Sequence, residues 1–266
     1  MLFSDHPRSR YAKAPVHEVI CQLRFPDILS INTTEPAAFQ EAIRAEFPRY
    51  TAKQEAAAPK IVGAGGPNPQ VEQAPPTMNY NFLSTDNVWK INLTRNFIAL
   101  STLRYNGWKD FARRLDRPLA EFIRLYNPAF FERIGLRYVN ILSRKTLGLE
   151  GRPWAELMAP VYTGVLAQED VREETVANCA VDFTLQPDSS SHAKVHAGPG
   201  RIKSNNPNVP ADEEQKFILD IDLSMGGNVS IMLSAGALET LHGHADRLFE
   251  GALTDSLRAA MDPQAE

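Results

Sequence analysis

Cysteine is nearly absent: Cys21 and Cys179 are the two in 266 residues. Two thiols cannot build a disulfide-stapled scaffold, and no Cys-x-x-Cys pair suggests a metal or redox motif. Each lies in an apolar, strand-like run, where a free cysteine usually serves as a small buried hydrophobe; a disulfide or a nucleophile is the lesser alternative. Long hydrophobic runs are also missing. No stretch approaches the ~18 apolar residues of a membrane-spanning helix. The opening Met1-Leu2-Phe3-Ser4-Asp5-His6-Pro7-Arg8 has no leader-like apolar segment. These absences point to a reducing, cytoplasmic setting. A basic surplus is missing as well. The formal net charge is −4, which supplies no field to draw a polyanion, so nucleic acid is disfavoured as a partner. Finally, no Gly-x-Ser-x-Gly, His-Glu-x-x-His, Gly-x-Gly-x-x-Gly or Gly-Lys-Ser/Thr phosphate loop is present. No cofactor is called for, and a non-enzymatic role leads over a catalytic one.

What is present is core material. Hydrophobic residues make up 43% and charged residues 23%, enough to bury a core and to exclude wholesale disorder. Residues 1–15 are polar and read as an arm. Residues 16–25 (VHEVICQLRF) alternate: Val19, Cys21, Leu23 and Phe25 share one side, Glu18, Ile20, Gln22 and Arg24 the other, the pattern of a strand with one buried face. A helix follows, with Thr33 or Thr34 as N-cap, Pro36 in the first turn and Phe39, Ile43 and Phe47 as its apolar stripe. Residues 51–78 lack any period and read as a loop; their Gly63-Ala64-Gly65-Gly66-Pro67 run is not a phosphate cradle.

Antiparallel strands are expected over 79–105, then a long helix carrying Trp108, Phe111, Leu115, Leu119, Phe122 and Tyr126 at three–four spacing, with Pro118 inviting a kink or break. Further strands read at 133–142, 175–185, 191–202 and 217–223, with a short helix near Trp154 between the first two. A last long helix runs from about Leu238 to Met261. The order strand, helix, strands, long helix thus occurs twice at a spacing of about 130 residues. The expected fold is α+β, mostly antiparallel sheet with two long amphipathic helices on one face. The chain divides into an arm (1–15) and two halves (16–130 and 131–266), as a duplicated unit or as one continuous mixed domain.

If helices cover one sheet face, the other is left for recognition. Gln22, Arg24, Lys90, Asn92, Thr94, Arg104, Arg137, Asp220 and Asp222 are assigned to it, too many ionic groups for a sealed layer. Arg24, Asn92, Arg104, Arg137, Asp220 and Asp222 are the candidate ligand-binding residues, for a partner protein or a small anionic ligand. The rival reading is a metal-dependent hydrolase or nuclease using Asp220 and Asp222, perhaps with His242; the bland alternative pairs those carboxylates with Arg24 and Arg137. Glu239 and His242, three apart, share a helical face; a zinc site drawn from His242, His244, His192 and His196 is a lesser alternative, since tetrahedral sites need convergent ligands and no Cys pair supports one. Arg95, Arg104 and Arg137 with Tyr105, Trp108 and Tyr138 form a weaker candidate cradle for an anion or a single strand of nucleic acid.

Four stretches resemble an uncharacterised, sporadically distributed bacterial family of proteins of about this length: Pro15 to Pro26, Asn92 to Thr102, Phe131 to Asn140, and Leu241 to Phe249. The resemblance covers nearly the whole chain. It implies no catalytic residue and no established activity. The family's sporadic occurrence implies mobile or defence-associated genes.

Overall fold

The computed structural model describes residues 1–6, 9–55, 60–62, 70–72, 76–202 and 212–264. The fold is α+β, built on a nine-stranded antiparallel sheet. Its strands are β1 (Val16–Arg24), β2 (Arg49–Glu55), β3 (Thr77–Leu83), β4 (Trp89–Leu93), β5 (Phe97–Thr102), β6 (Phe131–Leu142), β7 (Val181–Leu185), β8 (Ser191–Gly200) and β9 (Lys216–Val229). Their lateral order is β7-β8-β9-β6-β1-β5-β4-β3-β2. The main helices are α1 (Leu29–Thr33), α2 (Ala37–Ile43), α3 (Trp108–Tyr126), α4 (Ser234–Ala252) and α5 (Asp255–Ala260), with short helical turns between β6 and β7.

The topology has a pattern. β1 and β6 pair antiparallel at the centre. Each is followed by helical segments and then by a meander whose last strand returns beside it: β5 beside β1, and β9 beside β6. The earlier meander strands step outward to an edge, and a nineteen-residue helix closes each series. Buried residues from both series form one continuous cluster.

The covered side is set by strand alternation. Val19, Cys21 and Leu23 from β1, Ile134 and Leu136 from β6, and Leu219, Ile221 and Leu223 from β9 are fully buried. Phe122 of α3 packs on Phe25 just past β1, ring centroids 4.6 Å apart, and Phe111 packs on Trp89 of β4 at 5.8 Å. From α4, His242 reaches the Tyr138 hydroxyl of β6 at 2.8 Å. Burial pushes the Cys21 thiol up to about 12. Both cysteines are free, with Cys179 half-buried and its Sγ 3.4 Å from the Thr163 carbonyl.

Several expectations need correction. The loop assigned to 51–78 contains the end of β2, a small pair formed by Lys60–Val62 and Gln70–Glu72, and the start of β3; its glycine run lies outside the described residues. β2 (RYTAKQE) is exposed at all seven positions, so no apolar period marks it. Neither Thr33 nor Thr34 caps α2; Pro36 sits at the N-cap. Pro118 is buried inside an unbroken α3. The strand expected from Thr175 begins at Val181.

The last helix breaks at Leu253 and Thr254. There Leu253 forms a bridge with Met158, and the Thr254 hydroxyl donates to the Leu157 carbonyl at 2.9 Å. Long-range pairing thus overrides a helical sequence period. The N-terminal arm also has a dock. The Ser4 N–H donates to the Arg247 carbonyl at 3.0 Å, and the Tyr11 hydroxyl to Glu250 at 2.8 Å. Gly251 permits this passage, since a Cβ there would stand 2.2 Å from the Leu2 carbonyl oxygen.

Candidate functional site: the uncovered sheet face

The alternate residues of every strand turn away from the helices, and strand register places them in rows. One row runs Leu83, Lys90, Ser101, Ile20, Arg137, Asp222, Lys194 and Thr184, from β3 across to β7. The next runs Asn81, Asn92, Ala99, Gln22, Gly135, Ser224 and His192. A third runs Glu18, Val139, Asp220, His196 and Asp182. Four of the six candidate residues stand on this face with partners or neighbours in these rows: Asn92, Arg137, Asp220 and Asp222. Arg24 shares it too, opposite Arg133.

Arg104 does not. β5 ends at Thr102, and Arg104 lies in the following loop, 3.2 Å from Asp86. Thr94 is also absent from the face; it is buried in the β4–β5 turn, where its hydroxyl accepts the Phe97 N–H at 3.1 Å. The proposed arginine–aromatic cradle separates likewise. Arg137 lies on the open face, Arg95 pairs with Asp27 at 3.2 Å, and Tyr105, Trp108 and Tyr138 pack on the covered side.

Two kinds of polar chemistry occupy the face. On the β6–β9 side it is ionic. Arg137 lies opposite Asp222 in register but pairs diagonally with Asp220, its Nε donating at 2.8 Å. Asp222 instead receives Arg133, with Nη2 at 2.9 and 3.2 Å from its two oxygens. Gly135 makes that reach feasible, because a Cβ there would meet the Arg133 guanidinium at 2.1 Å. The bond to Asp220 raises the Arg137 pKa and outweighs its partial desolvation, with Asp222 and Glu18 adding attraction. On the β3–β4 side it is mostly amide chemistry, with Lys90 the cation of these two strands. The Asn92 amide donates to Asn81 at 2.6 Å and Asn79 at 3.1 Å, and Asn79 donates to Glu55 at 3.0 Å.

The two aspartates therefore each have an arginine partner: the expected Arg137, and Arg133 in place of Arg24. Among the described residues no group of three or more His, Cys, Asp or Glu side chains could hold a metal ion. The histidines serve different elements. His196 bonds Asp182 at 2.8 Å, and His244 bonds Asp188 at 2.7 Å. His242 is stacked on Trp108 at 4.6 Å. Glu239 accepts from the Trp108 indole at 2.6 Å.

What remains unpaired on the face is mostly cationic, with Glu18 the carboxylate that holds no hydrogen-bond or ion-pair partner among the described residues. Arg24, Lys90 and Lys194 have no hydrogen-bond or ion-pair partner among the described residues, whereas Asp182, Asp220 and Asp222 are all engaged. Arg133, Lys194 and the Asn79–Asn81 pair were not assigned to this face from the sequence, and His192 was read there only as a candidate zinc ligand. Their signal was register, which only pairing supplies. No family model matches the chain, and no curated protein matches it. No helix among the described residues is long and apolar enough to cross a membrane.

Proposed function

We propose that this chain is a non-enzymatic binding protein that recognises an acidic partner protein across the uncovered face of its sheet. One observation supports the reading most: Asp182, Asp220 and Asp222 are held by neighbouring side chains, while three cations, Arg24, Lys90 and Lys194, stay unmatched on the face among the described residues against one unmatched carboxylate, Glu18. A surface of that kind carries more unpaired positive than unpaired negative charge, and so favours an acidic counterpart. The face is a broad pleated layer of rows rather than an enclosed pocket, which suits a macromolecule better than a small anion. The asparagine cluster supplies uncharged amides at one end, suited to backbone or amide groups of the partner. The interspersed carboxylates disfavour a phosphate backbone. A metal-dependent hydrolase on Asp220 and Asp222 is the lesser reading, because each carboxylate already accepts from a guanidinium. Membership of the uncharacterised bacterial family and a cytoplasmic location belong to this proposal and assign no activity.

The test uses a fluorescent poly-glutamate peptide as the probe in anisotropy titrations at low and moderate salt. The triple reversal Arg24→Glu, Lys90→Glu and Lys194→Glu is expected to weaken binding at least about tenfold, since three rim charges act together. A reversal of Lys109, Arg113 and Arg124, all exposed on α3, controls for net charge and is expected to leave binding near parental. Equal losses in both variants, or no binding by the parent, would overturn the reading. Tighter binding of single-stranded DNA than of the peptide would replace it with a nucleic-acid reading.

A further inference from the structure

The sheet is open, and its two edges are not alike. β2 closes one side with the sequence RYTAKQE, where Arg49, Lys53 and Glu55 place charge along the strand. Such charges are how an exposed edge resists pairing with another chain. β7 closes the other side with VDFTL. It has no lysine, arginine or proline, and its pairing with β8 runs from Val181 to Leu185 without a bulge. None of its backbone groups bonds outward to another described residue. Its inward row is also incompletely covered. Val181, Phe183 and Leu185 are half-buried, whereas the matching residues of β8 next to them, Ala193, Val195 and Ala197, are 0–2% exposed. The segment beneath β7 touches it through Tyr162 against Phe183, ring centroids 5.8 Å apart, and through Gly164, where a Cβ would stand 2.9 Å from Val181. That same segment leaves Val161 and Val165 about half exposed, at 49% and 47%.

A strand edge guarded by a single charge, Asp182, beside half-covered apolar side chains is ground for strand addition. The sequence of β7 indicates which strand fits. Two copies of VDFTL laid antiparallel about a two-fold axis through Phe183 place Val181 opposite Leu185 and Phe183 opposite Phe183 on the covered side. On the open side Asp182 faces Thr184. No like charges oppose each other, and apolar residues meet apolar residues. A shift by one residue would set the pleat of one copy against the other and place apolar residues beside polar ones.

We infer that the protein self-associates through β7, two copies pairing antiparallel edge to edge to extend one sheet across both. The inference does not depend on the acidic-partner reading, and its test contains no partner. Five residues per copy give a small interface, so the dimer forms reversibly and depends on concentration.

Sedimentation velocity of the full chain across a hundredfold concentration range measures the equilibrium. Thr184 is exposed and stands opposite Lys194 of β8 in its own chain, so thermal unfolding of Thr184→Lys and Thr184→Asp first measures the small internal repulsion or attraction each adds. In the proposed register Thr184→Lys places a lysine opposite Asp182 twice and tightens the dimer. Thr184→Asp places two carboxylates opposite each other twice and loosens it. Each shift is about 2- to 30-fold in the dissociation constant, from two symmetry-related cross-strand pairs. The double variant Asp182→Lys with Thr184→Asp exchanges the two charges, restores opposite pairs and returns affinity to the tighter range of Thr184→Lys. A parent that stays monomeric throughout, or single variants that move the constant in the same direction or not at all, would overturn the inference.

Discussion

The two long helices occupy corresponding places after the two meanders, yet they meet different surroundings. α3 shows a broad outer face of charged residues, Lys109, Arg113, Asp116, Arg117 and Arg124, and buries only one stripe. α4 buries residues around much of its circumference, Glu250 and Gly251 included, because the N-terminal arm lies across it. The sheet beneath differs too. Neutral amides line the open face beside β4, and paired charges line it beside β6 and β9. Two meanders that return in the same way, four strands after β1 and three after β6, thus leave side-chain chemistry free wherever a position faces solvent or the N-terminal arm, and constrain it only toward the common core.

The comparison can be broken most sharply at α4. Glu250→Ala removes the carboxylate that holds both Tyr11 and Arg258, the latter 3.1 Å away and largely buried. Arg258 keeps an exposed partner in Asp255 at 2.7 Å, so the loss falls on the stranded Arg258 Nε and the buried Tyr11 hydroxyl and should cost about 2–4 kcal/mol, which urea unfolding should register. The matching change on α3, Glu121→Ala, breaks an exposed pair with Arg124 and should cost under about 0.5 kcal/mol. Similar values for the two would mean that the arm does not distinguish the helices.

Next in size is the neutral end of the face. Asn92→Ala strands the acceptors of Asn79 and Asn81 and should cost about 1–3 kcal/mol with little salt dependence, as denaturant titrations at two ionic strengths would reveal.

Asp188 comes third. Burial pushes its carboxyl pKa up, but the bonds from His244, Ser190 and Ser191 outweigh that and hold it below the usual carboxylate range. A folded pKa below the unfolded value of about 3.9 stabilises above that value, and the contribution disappears as pH falls below it. The expected gain is on the order of 1 kcal/mol after solvent screening. Asp188→Asn should therefore flatten the acid limb of the stability curve between neutral pH and about pH 2, and an unchanged limb would contradict the assignment.

The smallest effect is expected at the ionic end. Arg137→Ala breaks a half-exposed pair and should cost about 0.2–1 kcal/mol, shrinking further as salt is added. A loss larger than that of Asn92→Ala would reverse the contrast between the two ends.

Much of this was legible beforehand, for physical reasons. VHEVICQLRF and RIGLRYVNIL announce strands because one face is buried and the other is not, and period two survives in the sequence. The spacing of Phe111, Leu115 and Phe122 announces α3 for the same reason. β2 stayed hidden because neither of its faces is buried, so nothing selects alternation. Arg104 was misplaced because a strand's end depends on where its neighbours stop pairing.

By itself the sequence determined the α+β class, the strands with one buried face, the two long helices and the existence of a polar row opposite each greasy one. All of these follow from local periodicity. Tertiary structure decided which polar residues meet. Arg133 lies 89 residues from Asp222 and reaches it only because β6 and β9 pair in one register and Gly135 leaves room. It also decided that the last helix stops at Leu253 and that the arm covers α4. Those outcomes rest on contacts between distant segments, which no local pattern encodes.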